Sequence, residues 1–284
     1  MGIIVNQVSY EYNKGTNQSI KALNKIDVNI EQGEFVAIIG QSGSGKSTLL
    51  KMMNGLLKPD EGGVFYNGED IWDKDYNRVA LRGKVGMVFQ YPEHQLFEST
   101  VIKDVSFGPK NIGMKKLDVE FNSYKALKMV GIGEDLLDVS PFELSGGQKR
   151  RVAIAGVLAM KPEMIVLDEP AAGLDAKGKE KIFNILQEIN EKNNTTVVFI
   201  SHNMEDVVQY AKRVIVLDKG QVAMQGTVKE VFARKFELQS LGLGELPITE
   251  LFDILKENGM RNLGNPLTVS EALEELYRYE MENC

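Results

Sequence analysis

Two spacings of apolar residues alternate along the middle of this chain. Short unbroken runs rich in valine and isoleucine predict strands that are buried on both faces. They are followed by stretches whose apolar residues recur every three or four positions, which predicts amphipathic helices. The strand-like runs are 34–40, 84–90, 164–168 and 195–202, and the helix-like stretches are 46–55, 100–107, 118–131, 144–160 and 177–192. This alternation predicts an α/β fold with a doubly wound sheet.

The two ends of the chain follow other patterns. Residues 3–12 and 20–30 alternate with a period of two and predict an antiparallel strand pair. Residues 213–226 predict a hairpin that turns at Asp218-Lys219-Gly220. The stretches 248–258 and 268–281 have helical spacing. We therefore expect an antiparallel β subdomain at the start and a small helical extension at the end.

The distribution of charge distinguishes the last part of the chain from the rest. The net charge is −7, and residues 236–284 contain ten acidic and three basic residues, so the remaining 235 residues are neutral overall. This shift predicts a domain of residues 1–235, with a helical insert at about 98–160, and an acidic extension of residues 236–284. A neutral body argues against a nucleic-acid partner, because duplex binding needs a basic surface.

Cysteine and histidine usage limits the chemistry. The single cysteine, Cys284, is the last residue, so no internal disulfide is expected, which fits a reducing cytoplasm. One cysteine and two histidines make a structural zinc site very improbable. The apolar runs are too short for a membrane span, and we expect no signal peptide at the N-terminus.

A glycine-rich loop lies between the run 34–40 and the helix-like stretch 46–55. It fits the pattern G-x-x-x-x-G-K-[ST], in which glycines let backbone N–H groups approach phosphates and the helix N-terminus adds a partial positive charge. Lys46 is expected to reach the β- and γ-phosphates, and Ser47 to bind Mg²⁺. The loop comprises Gly40, Gln41, Ser42, Gly43, Ser44, Gly45, Lys46, Ser47 and Thr48.

Side chains suited to hydrolysis follow two of the strand-like runs. Asp168 ends the run 164–168 and Glu169 follows it directly. Adjacent carboxylates on a buried strand are costly unless a cation compensates them, so we expect Asp168 to hold Mg²⁺ and Glu169 to polarise the attacking water. His202 ends the run 195–202 and is expected to face the same crevice.

Three further features are weaker signals. Ser145, Gly146, Gly147 and Gln148 precede a long helix and predict either a second anion site or a simple N-cap. Gln90 stands at a strand end, where a side chain can turn toward a ligand. Tyr10 or Tyr12 could stack on a nucleotide base, and the position of Tyr12 at the turn favours it.

These motifs resemble, in identity and order, those of the nucleotide-binding subunits of ABC transporters, over residues 1–235. The LSGGQ sequence at 144–148 is the most specific of them. The resemblance implies that Tyr12 stacks on adenine, Gln90 senses Mg²⁺ and the lytic water, and its loop meets a membrane partner. It also implies that residues 145–148 bind the γ-phosphate of ATP held by an opposite subunit. In the same way it implies a dimer-seam position for Asp175, catalysis by Glu169 and a γ-phosphate contact from His202.

The chain departs from the family pattern in two places that remove no catalytic group. Ala171 stands where threonine is usual, and Asn203 stands where aspartate often follows the histidine. The resemblance therefore implies a competent ATPase that uses ATP and Mg²⁺.

Residues 91–113, 141–160 and the extension are most similar to the ATPases of energy-coupling factor importers of vitamins or transition-metal ions. That resemblance implies a second ABC ATPase as partner, either a paralogue or a second copy. It also implies a transmembrane coupling protein, a substrate-binding membrane subunit and a place on the cytoplasmic face of the membrane. The alternatives are a soluble non-transport ABC ATPase, a nucleotide-gated module that barely hydrolyses ATP, and an ATPase of another ABC importer class.

Overall fold

The computed structural model describes residues 2–260 and 262–283, so Met1, Arg261 and the terminal Cys284 lie outside the described residues. Within these ranges the strands are β1 Gly2–Tyr12, β2 Ile20–Glu31, β3 Phe35–Ile39, β4 Glu61–Tyr66, β5 Glu69–Asp70, β6 Val85–Val88, β7 Met164–Asp168, β8 Thr196–Ile200, β9 Arg213–Asp218 and β10 Gln221–Thr227. The helices are α1 Lys46–Met53, α2 Arg78–Lys84, α3 Val101–Asn111, α4 Lys116–Met129, α5 Gly146–Leu158, α6 Ala176–Asn193, α7 Met204–Tyr210, α8 Val228–Phe232, α9 Lys235–Ser240, α10 Pro247–Glu257 and α11 Val269–Asn283.

The larger sheet has the strand order β10-β9-β3-β8-β7-β6. Neighbouring strands in this sheet are parallel, except for the antiparallel β9–β10 hairpin at one edge. Every residue of β3, β7 and β8 is buried, which explains their continuous apolar sequences. The predicted α/β fold is confirmed, and the carboxyl ends of these strands lie at one edge of the sheet.

Alternate residues of β3 belong to different hydrophobic cores. Phe35, Ala37 and Ile39 pack with apolar residues of α3 to α6, whereas Val36 and Ile38 pack with α1 and the smaller sheet. The smaller sheet has the order β2-β1-β4-β5 and is antiparallel throughout. The predicted antiparallel subdomain is therefore confirmed, and it covers one face of the larger sheet.

The helical region differs from the sequence prediction in two details. The apolar spacing predicts a helix over 100–107, but α3 continues to Asn111 with Pro109 buried inside it. The proline removes one backbone hydrogen bond, and burial of its ring favours continuation. Helix α2 was not predicted; Asn77 caps it by accepting hydrogen bonds from the backbone N–H groups of Val79 and Ala80.

The extension begins as a continuation of the body. Leu238, Leu243 and Leu246 are buried in the core that contains Phe35. Beyond them, α10 and α11 enclose a small cluster of their own around Phe252. Among the described helices, none combines the length and the apolar composition needed to cross a membrane.

Candidate active site

The glycine-rich loop joins β3 to α1, and its glycines are required by close neighbours. Gly40 and Gly45 have φ angles of 149° and 102°. A Cβ atom on Gly40 would lie 2.2 Å from the carbonyl oxygen of Leu217, and one on Gly45 would lie 2.4 Å from that of Ala22. At Gly43, with φ of 80°, a Cβ would meet nothing within 4 Å. The loop is thus packed tightly at its ends and left open at its centre, where backbone N–H groups can be approached.

Lys46 lies inside this loop. Its Nζ donates hydrogen bonds to the carbonyl oxygens of Gly40 and Gln41, both at 2.8 Å. Burial lowers its pKa, against the opposing effect of Glu169 and Asp168. The buried Oγ of Ser44 has no hydrogen-bond partner. A buried ammonium and an unpaired hydroxyl in one loop fit an anionic ligand with several oxygen acceptors, such as a triphosphate.

Asp168 ends β7 and is only 6% exposed. Burial raises the pKa of its carboxyl, a hydrogen bond from Ser47 lowers it, and the charge of Glu169 raises it. A cation beside this carboxylate would offset the desolvation cost. The oxygens of Ser47 and Asp168 are ligands that Mg²⁺ prefers, and Mg²⁺ is usually held by one or two carboxylates, with phosphate and water oxygens among its other ligands. The residues present therefore fit the ion.

Glu169 and His202 meet at the edge of the sheet. The imidazole Nε2 lies 3.0 Å from Oε1 of Glu169, whose side chain is 18% exposed, against 49% for the histidine. Glu169 has a φ of 51°, a left-handed conformation that costs a glutamate about 1–2 kcal/mol. Strain of this kind is found at functional sites, and here it belongs to the residue predicted as the catalytic base.

Tyr12 lies beside the phosphate loop, and Gln90 follows an edge strand of the larger sheet. The phenol oxygen of Tyr12 is 3.3 Å from Oγ1 of Thr48, at the start of α1. The ring of Tyr10 meets that of Tyr12 edge-on at 4.9 Å and packs against the core. The arrangement puts Tyr12, more than Tyr10, at the phosphate loop. Gln90 follows β6 by two residues and is half-buried.

The turn at 145–148 is built as a capping box. Ser145 Oγ accepts from the backbone N–H of Gln148, whose Oε1 accepts from the N–H of Ser145. No hydrogen bond or ion pair given for the described residues joins this turn to the phosphate loop. Leu174 lies beside the turn: its Cδ2 is 3.8 Å from the position that a Cβ on Gly147 would occupy. Asp175 is exposed and caps α6 through Gly178 N–H.

Sequence reasoning missed two buried ion pairs near these residues. Lys179 of α6 contacts Asp206 of α7 at 2.7 Å, and Arg150 of α5 lies 3.6 Å from Glu93. A signal for Arg150 exists, because it shares a four-residue spacing with the buried Ile154 and Leu158 and so falls on the apolar face of its helix. Lys179 carries the same signal, because it precedes the buried Ile182 and Phe183 by three and four residues and so falls on the apolar face of α6.

Comparison with known proteins agrees with this geometry. The model of the ABC transporter family matches residues 23–172. The chain is 49% identical over 279 residues to the energy-coupling factor transporter ATP-binding protein EcfA2 of Caldanaerobacter subterraneus subsp. tengcongensis, covering 98% of each chain. It is 50% identical to the protein of the same name from Acetivibrio thermocellus, covering 98% of this chain and 99% of that one.

Solved structures give the same result. cbiO1 from Clostridium perfringens, described as part of the ABC transporter complex cbiONQ, is 40% identical with a TM-score of 0.72, over 88% of this chain and 98% of its own. The ATP-binding cassette MJ0796, a dimer in a post-hydrolysis state bound to ADP and Pi, is 34% identical with a TM-score of 0.72, over 80% of this chain and 98% of its own.

Proposed function

Since this chain belongs to the ABC transporter family, we propose a mechanism for it as the ATP-binding and ATP-hydrolysing subunit of an energy-coupling factor importer. The observation that carries the mechanism is the strand-end group in which Glu169, held by His202 at 3.0 Å, adjoins the buried Asp168. This group stands at the same sheet edge as the phosphate loop, where the charges of both carboxylates act to raise the pKa of Lys46. A triphosphate and its lytic water would meet there.

Each residue then has a separate task. Tyr12 stacks on adenine, and residues 40–48 bind the phosphates, with Lys46 exchanging its two loop carbonyls for β- and γ-phosphate oxygens. Glu169 accepts a proton from the attacking water, and His202, whose Nε2 lies 3.0 Å from Glu169, contacts the γ-phosphate. Ser47, Gln90 and Asp168 would hold Mg²⁺, which neutralises charge on the phosphates.

The turn at 145–148 completes the site of a second subunit. Ser145 and Gly146 are exposed, the capping hydrogen bonds of the turn are local, and the turn presents N–H groups at the N-terminus of α5. In arginine-finger systems, a hydrogen-bond donor supplied across an interface stabilises the phosphoryl-transfer transition state and raises the rate by about 10³–10⁵-fold. ATP would thus close two cassettes, with Asp175 at the seam, and hydrolysis would open them.

The partners follow from the importer type. We infer that the chain pairs with a second ABC ATPase, a paralogue or another copy, and binds a transmembrane coupling protein through the loop after Gln90. That protein would carry a substrate-binding membrane subunit for a vitamin or a transition-metal ion. The chain would then be peripheral, on the cytoplasmic face of the membrane. Purification of the tagged chain from membranes and identification of its bound subunits tests these partners.

Glu169→Gln tests the catalytic assignment. In the purified complex we expect the ATPase rate to fall by about 10²–10⁴-fold, the usual contribution of a general base, with ATP affinity little changed. Glu188→Gln is the matched control, since Glu188 is an exposed glutamate that pairs with Lys192 one turn away. Equal rates for Glu169→Gln and Glu188→Gln would reject the mechanism.

A further inference from the structure

Arg150 is a buried arginine with no role in the mechanism above. It is 4% exposed and lies on α5, just after the turn at 145–148. Its Nη2 donates a hydrogen bond of 2.8 Å to the backbone carbonyl of Gln90. Its Nε lies 3.6 Å from Oε2 of Glu93 in the same loop. One buried side chain therefore joins the loop that carries Gln90 to the helix that presents the turn.

The helix geometry makes this junction short and stiff. Gly146 begins α5, and Arg150 stands four residues later on the same face, about 6 Å along the axis. A displacement of the Gln90 carbonyl is therefore passed to the turn through a single helical turn. On the other side, Gln90 is followed by a 3-10 turn, Pro92–Gln95, that contains Glu93 and the buried Pro92.

The junction also has an unused contact. Neither Nε of Arg150 nor Oε2 of Glu93 has a hydrogen-bond partner in the structure, although both atoms are buried. A movement of about 0.5 Å would bring them within hydrogen-bonding distance. Arg150 can thus make one hydrogen bond, to Gln90, or two, to Gln90 and Glu93. A shift of the loop would change the side chain from one state to the other.

We propose that Arg150 is a positioning residue that couples Gln90 to residues 145–148, so that nucleotide at one phosphate loop sets the orientation in which the same chain offers its turn to the partner subunit. The proposal rests on the roles proposed above for Gln90 and for the turn. It adds that the signal leaves Gln90 through its backbone carbonyl, while its side chain stays free to face Mg²⁺.

A double-mutant cycle on the purified complex tests this coupling. We expect Arg150→Met to lower kcat by about ten-fold while the KM for ATP changes by less than about three-fold, because the phosphate loop is untouched. If Arg150 acts through Gln90, the double variant Arg150→Met/Gln90→Ala is no slower than Gln90→Ala alone. Effects that multiply in the double variant would overturn the proposal, because they would mean that Arg150 acts independently of Gln90.

Two further variants keep the test decisive. Arg82→Met is the matched control, since Arg82 also donates to a backbone carbonyl, that of Gly55 at 3.3 Å, but on α2; we expect its kcat to stay near wild type. Should thermal melting show that Arg150→Met does not fold, Arg150→Lys replaces it in the same cycle. A lysine keeps the charge beside Glu93 but carries it on one nitrogen, without the planar fork from which Nη2 and Nε of Arg150 reach Gln90 and Glu93 separately.

The variants distinguish rejection of the Arg150 coupling from rejection of the proposed function. A Glu169→Gln variant that hydrolyses ATP normally would reject the catalytic mechanism. A Gln90→Ala variant with unchanged kcat would reject the role of Gln90 and this coupling together. Normal behaviour of the Arg150 variants alone, with both of the others impaired, would reject the coupling only.

Discussion

At the scale of single residues, Gly45 joins the phosphate loop to the antiparallel sheet. A Cβ there would lie 2.4 Å from the backbone oxygen of Ala22 and 2.8 Å from Cδ2 of Leu23. Gly45→Ala should therefore destabilise the fold by about 1–3 kcal/mol through overpacking, beyond the cost of its positive φ, and it should abolish ATP binding. Denaturant unfolding and nucleotide titration measure the two effects.

Gly15→Ala separates these causes. Gly15 has a φ of 81°, like the loop glycines, but a Cβ on it would meet nothing within 4 Å. It should cost only the conformational strain of about 1–2 kcal/mol and leave ATP binding intact. If both variants lose the same stability, close packing against Ala22 is not what requires glycine at position 45.

At the scale of elements, α6 and α7 are joined by the ion pair of Lys179 with Asp206. Helix α6 begins directly after Asp175 and α7 begins two residues after His202, so the pair sets the spacing between the proposed seam residue and the proposed γ-phosphate contact. The side chain of Asp206 is 5% exposed and that of Lys179 is 28% exposed. Lys179→Met leaves a buried carboxylate unpaired, and should cost about 3–5 kcal/mol of unfolding free energy.

An exposed pair supplies the comparison for this prediction. Lys192 and Glu188 are 2.8 Å apart on the surface of α6, with side chains 72% and 50% exposed. Lys192→Met should cost no more than about 0.5 kcal/mol. Adding Asp206→Asn to Lys179→Met should restore most of the lost stability, because the buried charge is then gone. A similar small loss for both lysine variants would contradict the argument.

The elements also show which parts of this fold could be predicted from sequence. The strands β3, β7 and β8 are buried on both faces, so each appears in the sequence as an apolar run, and the polar residues that follow β7 and β8 mark the sheet edge. Helix α2 has no apolar stripe of its own and begins with a side-chain cap at Asn77, which a pattern of apolar spacing does not detect.

Contacts between distant segments could not be predicted in the same way. Nothing in the sequence around Arg150 names the carbonyl of Gln90, 60 residues away, as its partner. Likewise the contact of Lys179 with Asp206 depends on how α6 and α7 pack, and packing is decided by the whole core. Candidate reacting groups could be proposed from the sequence because their chemistry requires particular residue types, whereas the groups that position them can be of many types.

At the scale of the whole molecule, the acidic extension is attached to the neutral body partly through Glu271. Its carboxylate accepts from the backbone N–H of Leu267 at 2.9 Å and pairs with Lys229 of α8 at 3.3 Å. The pKa of Glu271 is held below its usual 4.5 chiefly by the hydrogen bond from the N–H of Leu267, and to a lesser extent by Lys229. A lowered pKa means that this stabilisation is present above pH 4.5 and is lost as the pH falls through the depressed value.

The extension should therefore loosen in acid before the body does. At pH 7, Glu271→Ala should lower the opening free energy of residues 247–283 by about 1 kcal/mol, the usual worth of such a cap, and the difference from wild type should shrink as the pH falls below 4.5. Hydrogen exchange resolved by segment measures this, with Glu274→Ala, an exposed glutamate of the same helix, as control. A difference from wild type that stays constant down to pH 3 would mean that the charge of this carboxylate contributes nothing to the attachment, which would then depend on other contacts, such as that of Ile248 with the core of the body.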